Sequence, residues 1–334
     1  MKNIVNTFTE KPSGPLQSYR SPFWIMVGKE IADHIRSWRF IVLLGLVVLT
    51  FWGATAVAMN NIREAVAKVK DTDHLFLYLK LLTTTEGNLP PFHVFLNFLG
   101  PLLGISLGFD AINAEQQRGT LIRIMAQPVY RDNLLLSKFV SALILVGTLF
   151  FTLTLLMVGC GIILTGVLIE TEEILRILSF TFVCVVYIGF WLGLSILLSI
   201  RFKQAATSAL TAIGIWLFFT VFYQIIINLV VKSFIPDGNQ LTEVDIYRYN
   251  EIIRSLMRLA PSQLYTDATT TLLMPAIRSL GPLTMEQMVG ALPSPLPFKE
   301  SLMIVWPQVS GLIAITIALF ALSYYIFMRR EIRS

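Results

Sequence analysis

Charge is scarce in this chain: Asp, Glu, Lys and Arg make up 14% of its 334 residues, where soluble proteins carry roughly 25%. Set against 55% hydrophobic residues, that deficit excludes an ordinary soluble domain and leaves the membrane class. Cysteine is nearly missing too. Cys160 and Cys184 both fall inside apolar runs, without the spacing of a redox or metal motif, and read as packing residues. The three histidines, His34, His74 and His93, have no partners at metal-ligand spacing. A phosphate-cradling GxxxxGKS/T loop is absent, so any ATP has to be bound by another chain. Residues 1–20 are polar and dotted with Pro and Gly; lacking an apolar core, they form a polar tail and not a cleavable secretory signal. The formal charge of +5 is spread over flanks and loops instead of one basic segment, which argues against a nucleic-acid partner.

What the chain does have is long apolar runs. Six approach the roughly 20 residues needed to cross about 30 Å of hydrocarbon, near 40–60, 92–110, 137–166, 177–200, 206–231 and 303–328. The expectation is an all-α integral membrane protein with one transmembrane domain over 21–334. Before the first span, Trp24, Val27, Ile31, Ile35 and Trp38 share a helical face, and Pro22 suits a first helical position. Residues 22–39 therefore read as an amphipathic helix lying in the membrane interface, with a simple extension of the first span as the alternative.

Orientation follows from the short links. Arg201 and Lys203 lie between spans four and five, Glu170, Glu172 and Glu173 between spans three and four, and the tail carries Arg329, Arg330 and Arg333. The positive-inside rule then puts both termini in the cytoplasm. The longest outer loop becomes 232–302, with one helix expected after Thr242, where Thr-x-x-Asp resembles a capping box, and another after Pro261 and Ser262. Apolar positions such as Val244, Ile253, Leu256, Leu272 and Leu273 suggest helices resting on the membrane surface or the outer mouth, before the Pro-rich stretch Pro293 to Pro297.

Ionisable residues inside spans mark proton relays and ion sites, and these spans hold almost none; His93 and Asp110 sit near opposite ends of the second. This argues against a proton-coupled carrier. The informative segment is the connection between spans two and three, about 27 residues, in which Leu121, Ile122, Ile124 and Met125 stand between charged ends and Gly119 permits a tight turn. It is either a helix that buries one face in a partner's groove or a solvated loop.

Read as DAINAEQQRGTLIRIMAQPVYRDNLLLSK, residues 110–138 resemble the permease subunits of ABC type 2 transporters. Their motif is an acid ending the second span, then Glu, Gly-Thr-Leu, Pro, Arg and Lys leading into the third. The Lys29–Glu30 pair and, in part, Ser262 to Thr269 also resemble the family, while Gln127 and Ser137 depart from it. Only the first motif is specific. The outer loop is longer than in the simplest members, so no cargo is carried over.

The resemblance implies a second permease chain, identical or homologous, and two copies of a cytoplasmic ABC ATPase subunit that bind ATP and Mg, with no cofactor in this chain. It implies a multi-pass protein of the cell membrane in contact with lipids, and export as the direction. Glu30 and the segment 115–131 would receive ATPase motion, with Glu115, Arg118 and Arg131 as polar contacts, Leu121 and Ile124 as apolar anchors and Gly119 at the turn. The translocation path would run between two copies, lined by Asn97, Tyr223, Gln224 and Asn228 of spans two and five; each of these equally suits a helix–helix hydrogen bond. Two other classes stay open: a membrane subunit that acts on an outer partner without moving a cargo, and a stand-alone secondary carrier.

Overall fold

The structure is a computed structural model that describes residues 21–68, 76–83, 90–126, 130–234, 243–277 and 295–329. The described residues form helices and no strand. In chain order these are α1 (Pro22–Ile35), α2 (Trp38–Lys68), α3 (Leu77–Thr83), α4 (Phe92–Gly108), α5 (Asn113–Gln117), α6 (Thr120–Met125), α7 (Arg131–Thr165), α8 (Thr171–Arg201), α9 (Ala205–Leu217), α10 (Tyr223–Phe234), α11 (Glu243–Met257), α12 (Pro261–Leu273) and α13 (Phe298–Arg329). Six stretches are long and apolar enough to cross a bilayer: Trp38–Asn60, Phe92–Gln117, Arg131–Ile163, Thr171–Arg201, Ala205–Val231 and Phe298–Arg329. A π-helical stretch, Phe218–Phe222, joins α9 and α10 into the fifth.

Burial ranks the spans. In α8 the apolar stretch is 72% buried within the chain, against 6% for the fifth span, so α8 is the central mast and the fifth span faces outward. The tightest seam runs between α4 and α8, where Gly100, Gly104 and Gly108 recur every four residues. A Cβ on Gly104 would meet the Ile188 carbonyl oxygen at 2.6 Å, and one on Gly108 the Leu192 carbonyl oxygen at 2.9 Å. Only glycine lets the two backbones come this close, as at small-residue seams in bilayers, where dispersion and not the hydrophobic effect drives helix contact.

Two spans begin six residues before the apolar runs do, α7 at Arg131 and α8 at Thr171. The charged residues at the start of α8 are satisfied within the chain. Glu170 and Glu173 close a capping box on α8, and Glu173 also accepts the Tyr78 N–H at 2.8 Å at the start of α3. Arg176, with no exposed side-chain surface, donates to Glu172 at 2.9 Å, to the Leu272 carbonyl and Ser301 hydroxyl at 3.1 Å each, and to the Leu296 carbonyl. One guanidinium thereby joins α8 to the end of α12 and the start of α13.

The expected helix over 22–39 is two helices, because the chain breaks after Ile35 and Trp38 opens α2. In the long segment before the last span, α11 lies beside α10, where the Tyr223 hydroxyl donates to the Leu256 carbonyl at 2.7 Å. Of the two positions expected for the second helix, the membrane surface does not fit α12, which is built into the bundle. Tyr265, Ala268, Leu272 and Leu273 are buried; the Tyr265 ring stacks on Tyr187 of α8 at 4.4 Å, and its hydroxyl donates to the His93 carbonyl. The threonines of α12 return their hydroxyls to carbonyls three or four residues back, so most of this polar helix buries with its side-chain groups bonded, the Ser262 hydroxyl excepted. Thr242 and Pro293, and the side chain of Val244, lie outside the described residues.

Candidate coupling site

At the end of the bundle that carries α1, α4 runs out at Gly108 and the chain turns through Phe109–Ile112 before restarting as α5. The turn is held by Ser199 of α8, whose hydroxyl accepts the N–H groups of Ile112 at 2.9 Å and Asn113 at 3.2 Å, donors a helix start leaves unpaired. Asp110 pairs with Arg39 at the head of α2 at 2.9 Å, and Arg39 lies 4.8 Å over the Phe109 ring. Gly119 separates α5 from α6 with φ +66, the left-handed region that favours glycine. Beyond it Leu121 is buried, whereas Ile122 and Arg123 are exposed.

α1 packs along α7 and buries Val27 and Glu30. Of the predicted apolar face, Val27 and Ile31 turn inward, while Trp24 and Ile35, each 54% exposed, remain outside. Val27, Glu30 and Ile31 fall on one face at a spacing of three to four residues, which carries a carboxylate into the bundle along with the apolar residues.

There Glu30 meets Lys138 of α7. The ammonium lies 3.0 Å from Glu30 Oε2 and 2.7 Å from Glu115 Oε1, and all three side chains are at least 86% buried. Lys29 joins the cluster at 3.1 Å from Glu30 and 3.3 Å from Asp33. One lysine on a span thus ties α1 and the α4–α7 connection to α7. Burial alone would raise the Glu30 carboxyl, but Lys138 and Lys29, by charge and hydrogen bond, together outweigh it and hold the group below its ordinary range. His34 shifts down because burial outweighs the pull of Glu30, which keeps its ring neutral at physiological pH.

A carboxylate whose folded pKa is depressed contributes stability above its unfolded value, and that stability is lost as pH falls through the folded value. The thermal midpoint of the purified protein should therefore hold from neutrality down to about pH 5 and drop below about pH 4, and Glu30→Gln should flatten that drop. Equal acid sensitivity in both proteins would remove Glu30 as its source.

The structure brings Glu30 and Glu115 together through Lys138, with Arg118, Gly119 and Leu121 alongside on α5–α6. Arg131 opens α7 outside the cluster, and the side chain of Ile124 lies outside the described residues. A cavity of about 750 Å³ opens beside the cluster, with Arg39, Asp110, Arg118 and Arg123 among its walls. No group of three or more His, Cys, Asp or Glu at metal-holding distance occurs among the described residues. The path candidates lie on α4 and on the fifth span, where Gln224 and Asn228 are one helical turn apart. Asn97 accepts the Tyr187 hydroxyl at 3.0 Å and donates to Thr266 at 3.3 Å, Tyr223 is tied to α11, and Gln224 and Asn228 sit on the exposed fifth span. Sequence reading assigned no role to Lys138, although it closes the 110–138 motif, nor to the four-residue glycine spacing in span two, which was visible in the run itself.

Comparison with known proteins agrees with this geometry. The family described as ABC-2 family transporter protein matches residues 24–332. A Pseudomonas aeruginosa protein named probable ABC transporter permease protein NosY is 26% identical over 217 residues, 60% of this chain and 68% of that protein. A protein of the same name from Stutzerimonas stutzeri is 30% identical over 164 residues, 45% of this chain and 58% of its own length. The match over nearly the whole chain, on six spans joined by the motif that Lys138 closes, shows that this protein belongs to the ABC-2 transporter family and is the permease subunit of an ABC transporter.

Proposed function

We propose that this permease works as one of a pair, driven by two copies of a separate ATPase subunit docked at the α1 end, which faces the cytoplasm together with both termini. That partner binds ATP and Mg, and the pair exports its cargo. The observation that carries the reading is the buried Lys138, bonded to Glu30 of α1 and Glu115 of α5. Motion delivered to the exposed face of α5–α6 would reach α7 through Lys138, and α4 and α8 through the Ser199 contacts and the glycine seam. Packed elements switch between discrete arrangements instead of bending, so a push at this end tilts whole spans.

A second reading, in which ATPase motion acts on a partner across the membrane without moving a cargo, draws on Arg176. Because it fixes α8 to α12 and α13, displacement of α8 would pass straight to the segment at the far end.

The tagged chain should co-purify in mild detergent with a P-loop subunit in equal amount. Glu115→Ala should leave the complex assembled but lower ATP hydrolysis about tenfold or more, as expected when the charged hydrogen bond to Lys138 that carries the motion is lost. Recovery of the chain alone, or hydrolysis unchanged by the substitution, argues against the proposal.

A further inference from the structure

The 750 Å³ cavity beside Lys138 has a second property besides its place at the docking end. Its walls carry five cations, Lys29, Arg39, Arg118, Arg123 and Lys138, and four carboxylates, Glu30, Asp33, Asp110 and Glu115. Ion pairs engage all four carboxylates: Lys138 holds Glu30 and Glu115, Lys29 holds Glu30 and Asp33, and Arg39 holds Asp110. Arg118 and Arg123 remain, both exposed, with no carboxylate within 4.0 Å among the described residues. Five cations against four carboxylates leave the wall one net positive charge, and the two cations outside its ion pairs are guanidinium groups, whose planar forks suit phosphate oxygens.

Position decides which phosphate. The cavity lies between α1, the head of α2 and the end of α4 with α5–α6, with Lys138 of α7 at its inner wall, and Trp38, 76% exposed, stands in its wall where span one begins. Trp24 and Ile25 are exposed on the same helix. Tryptophan on that boundary marks headgroup depth, and basic pockets between spans at that depth take anionic headgroups. The volume falls within the range of about 300–1,000 Å³ typical of small-molecule sites.

We infer that this cavity binds the phosphate headgroup of an anionic phospholipid, held by Arg118 and Arg123, with Trp38 at the rim beside the glycerol backbone. The site would place a lipid against the walls of the Lys138 cluster, making the coupling end of the permease sensitive to lipid charge. The inference requires only that the chain spans a bilayer, and it stands or falls apart from the ATPase reading.

The test uses the full-length permease without its ATPase, in nanodiscs of mixed phosphatidylglycerol and phosphatidylcholine, with lipids retained after detergent extraction counted by native mass spectrometry. Phosphatidylglycerol should be retained in preference to phosphatidylcholine. The R118Q/R123Q double variant should lose that preference on the order of tenfold. The R201Q/K203Q variant, which removes two exposed cations at the same end but outside the cavity, should keep it. Equal retention of the two lipids by the native chain would overturn the site, as would equal loss in both variants, which would mean diffuse surface charge. Displacement of bound lipid by millimolar inorganic phosphate would also overturn it, by assigning the site to free phosphate.

Discussion

Lys138→Met is expected to destabilise the protein by about 3–5 kcal/mol, the range for removing one partner of a buried ion pair. The value belongs to the charges left behind more than to the bonds lost. Glu30 keeps Lys29, but Glu115, whose side chain is 14% exposed, loses its only ion-pair partner among the described residues, and its Oε2 already lacks one. Methionine fills most of the lysine stem's volume, so packing changes little. Adding Glu30→Gln and Glu115→Gln to Lys138→Met should therefore recover most of the stability, since uncharged amides are far easier to bury. Coupling should not recover with it, because no strong bond then links α1 and α5 to α7. Unfolding followed in detergent would separate these effects. A single variant within about 1 kcal/mol of the native protein would mean that water reaches the cluster and that the buried-network account is wrong.

The second large effect lies at the other end of the bundle. Arg176→Met is expected to destabilise by a similar amount, about 3–5 kcal/mol, because the Leu272 and Leu296 carbonyls and the Ser301 hydroxyl would all lose their charged donor in a buried site. Arg176→Lys should fall between, as one ammonium cannot reproduce a five-donor fork. The local signature is loosening of α12, read as faster proteolysis between α12 and α13 while the α1 end stays protected. If Arg176→Met unfolds the whole chain, Ser301→Ala gives the milder probe; it removes one partner, with a loss of about 1 kcal/mol confined to the same region. Unchanged protection of that region in both variants would contradict the role given to Arg176.

The spans were legible because apolar runs of bilayer length leave few alternatives. The starts of α7 and α8 were not, since hydropathy scores a charge without its partner. Arg176 looks like a loop residue until Leu272, Leu296 and Ser301, 96 to 125 positions away, come round to meet it. For the same reason Lys138 was seen as the end of a motif and not as its pivot: Glu30 lies 108 positions upstream. The inward placement of α12 was hidden because its threonine hydroxyls bond their own helix, which residue type alone does not show. Gly119 was different. A glycine between two short helical stretches signals a turn locally, and its φ of +66 needs no distant partner.

The account rests on Lys138 carrying motion from the α5–α6 face into the bundle, and distance measurement tests this most directly. Spin labels on Ile122→Cys of α6 and Ile163→Cys at the far end of α7, both at exposed positions, would be introduced after replacing Cys160, leaving the buried Cys184 in place. Electron–electron double resonance on the complex with its ATPase would then compare the nucleotide-free and ATP-trapped states. The account predicts a distance distribution that shifts on ATP trapping in the native background and does not shift with Lys138→Met, although ATP still binds. The same shift with and without Lys138, or no shift in the native complex, would contradict it.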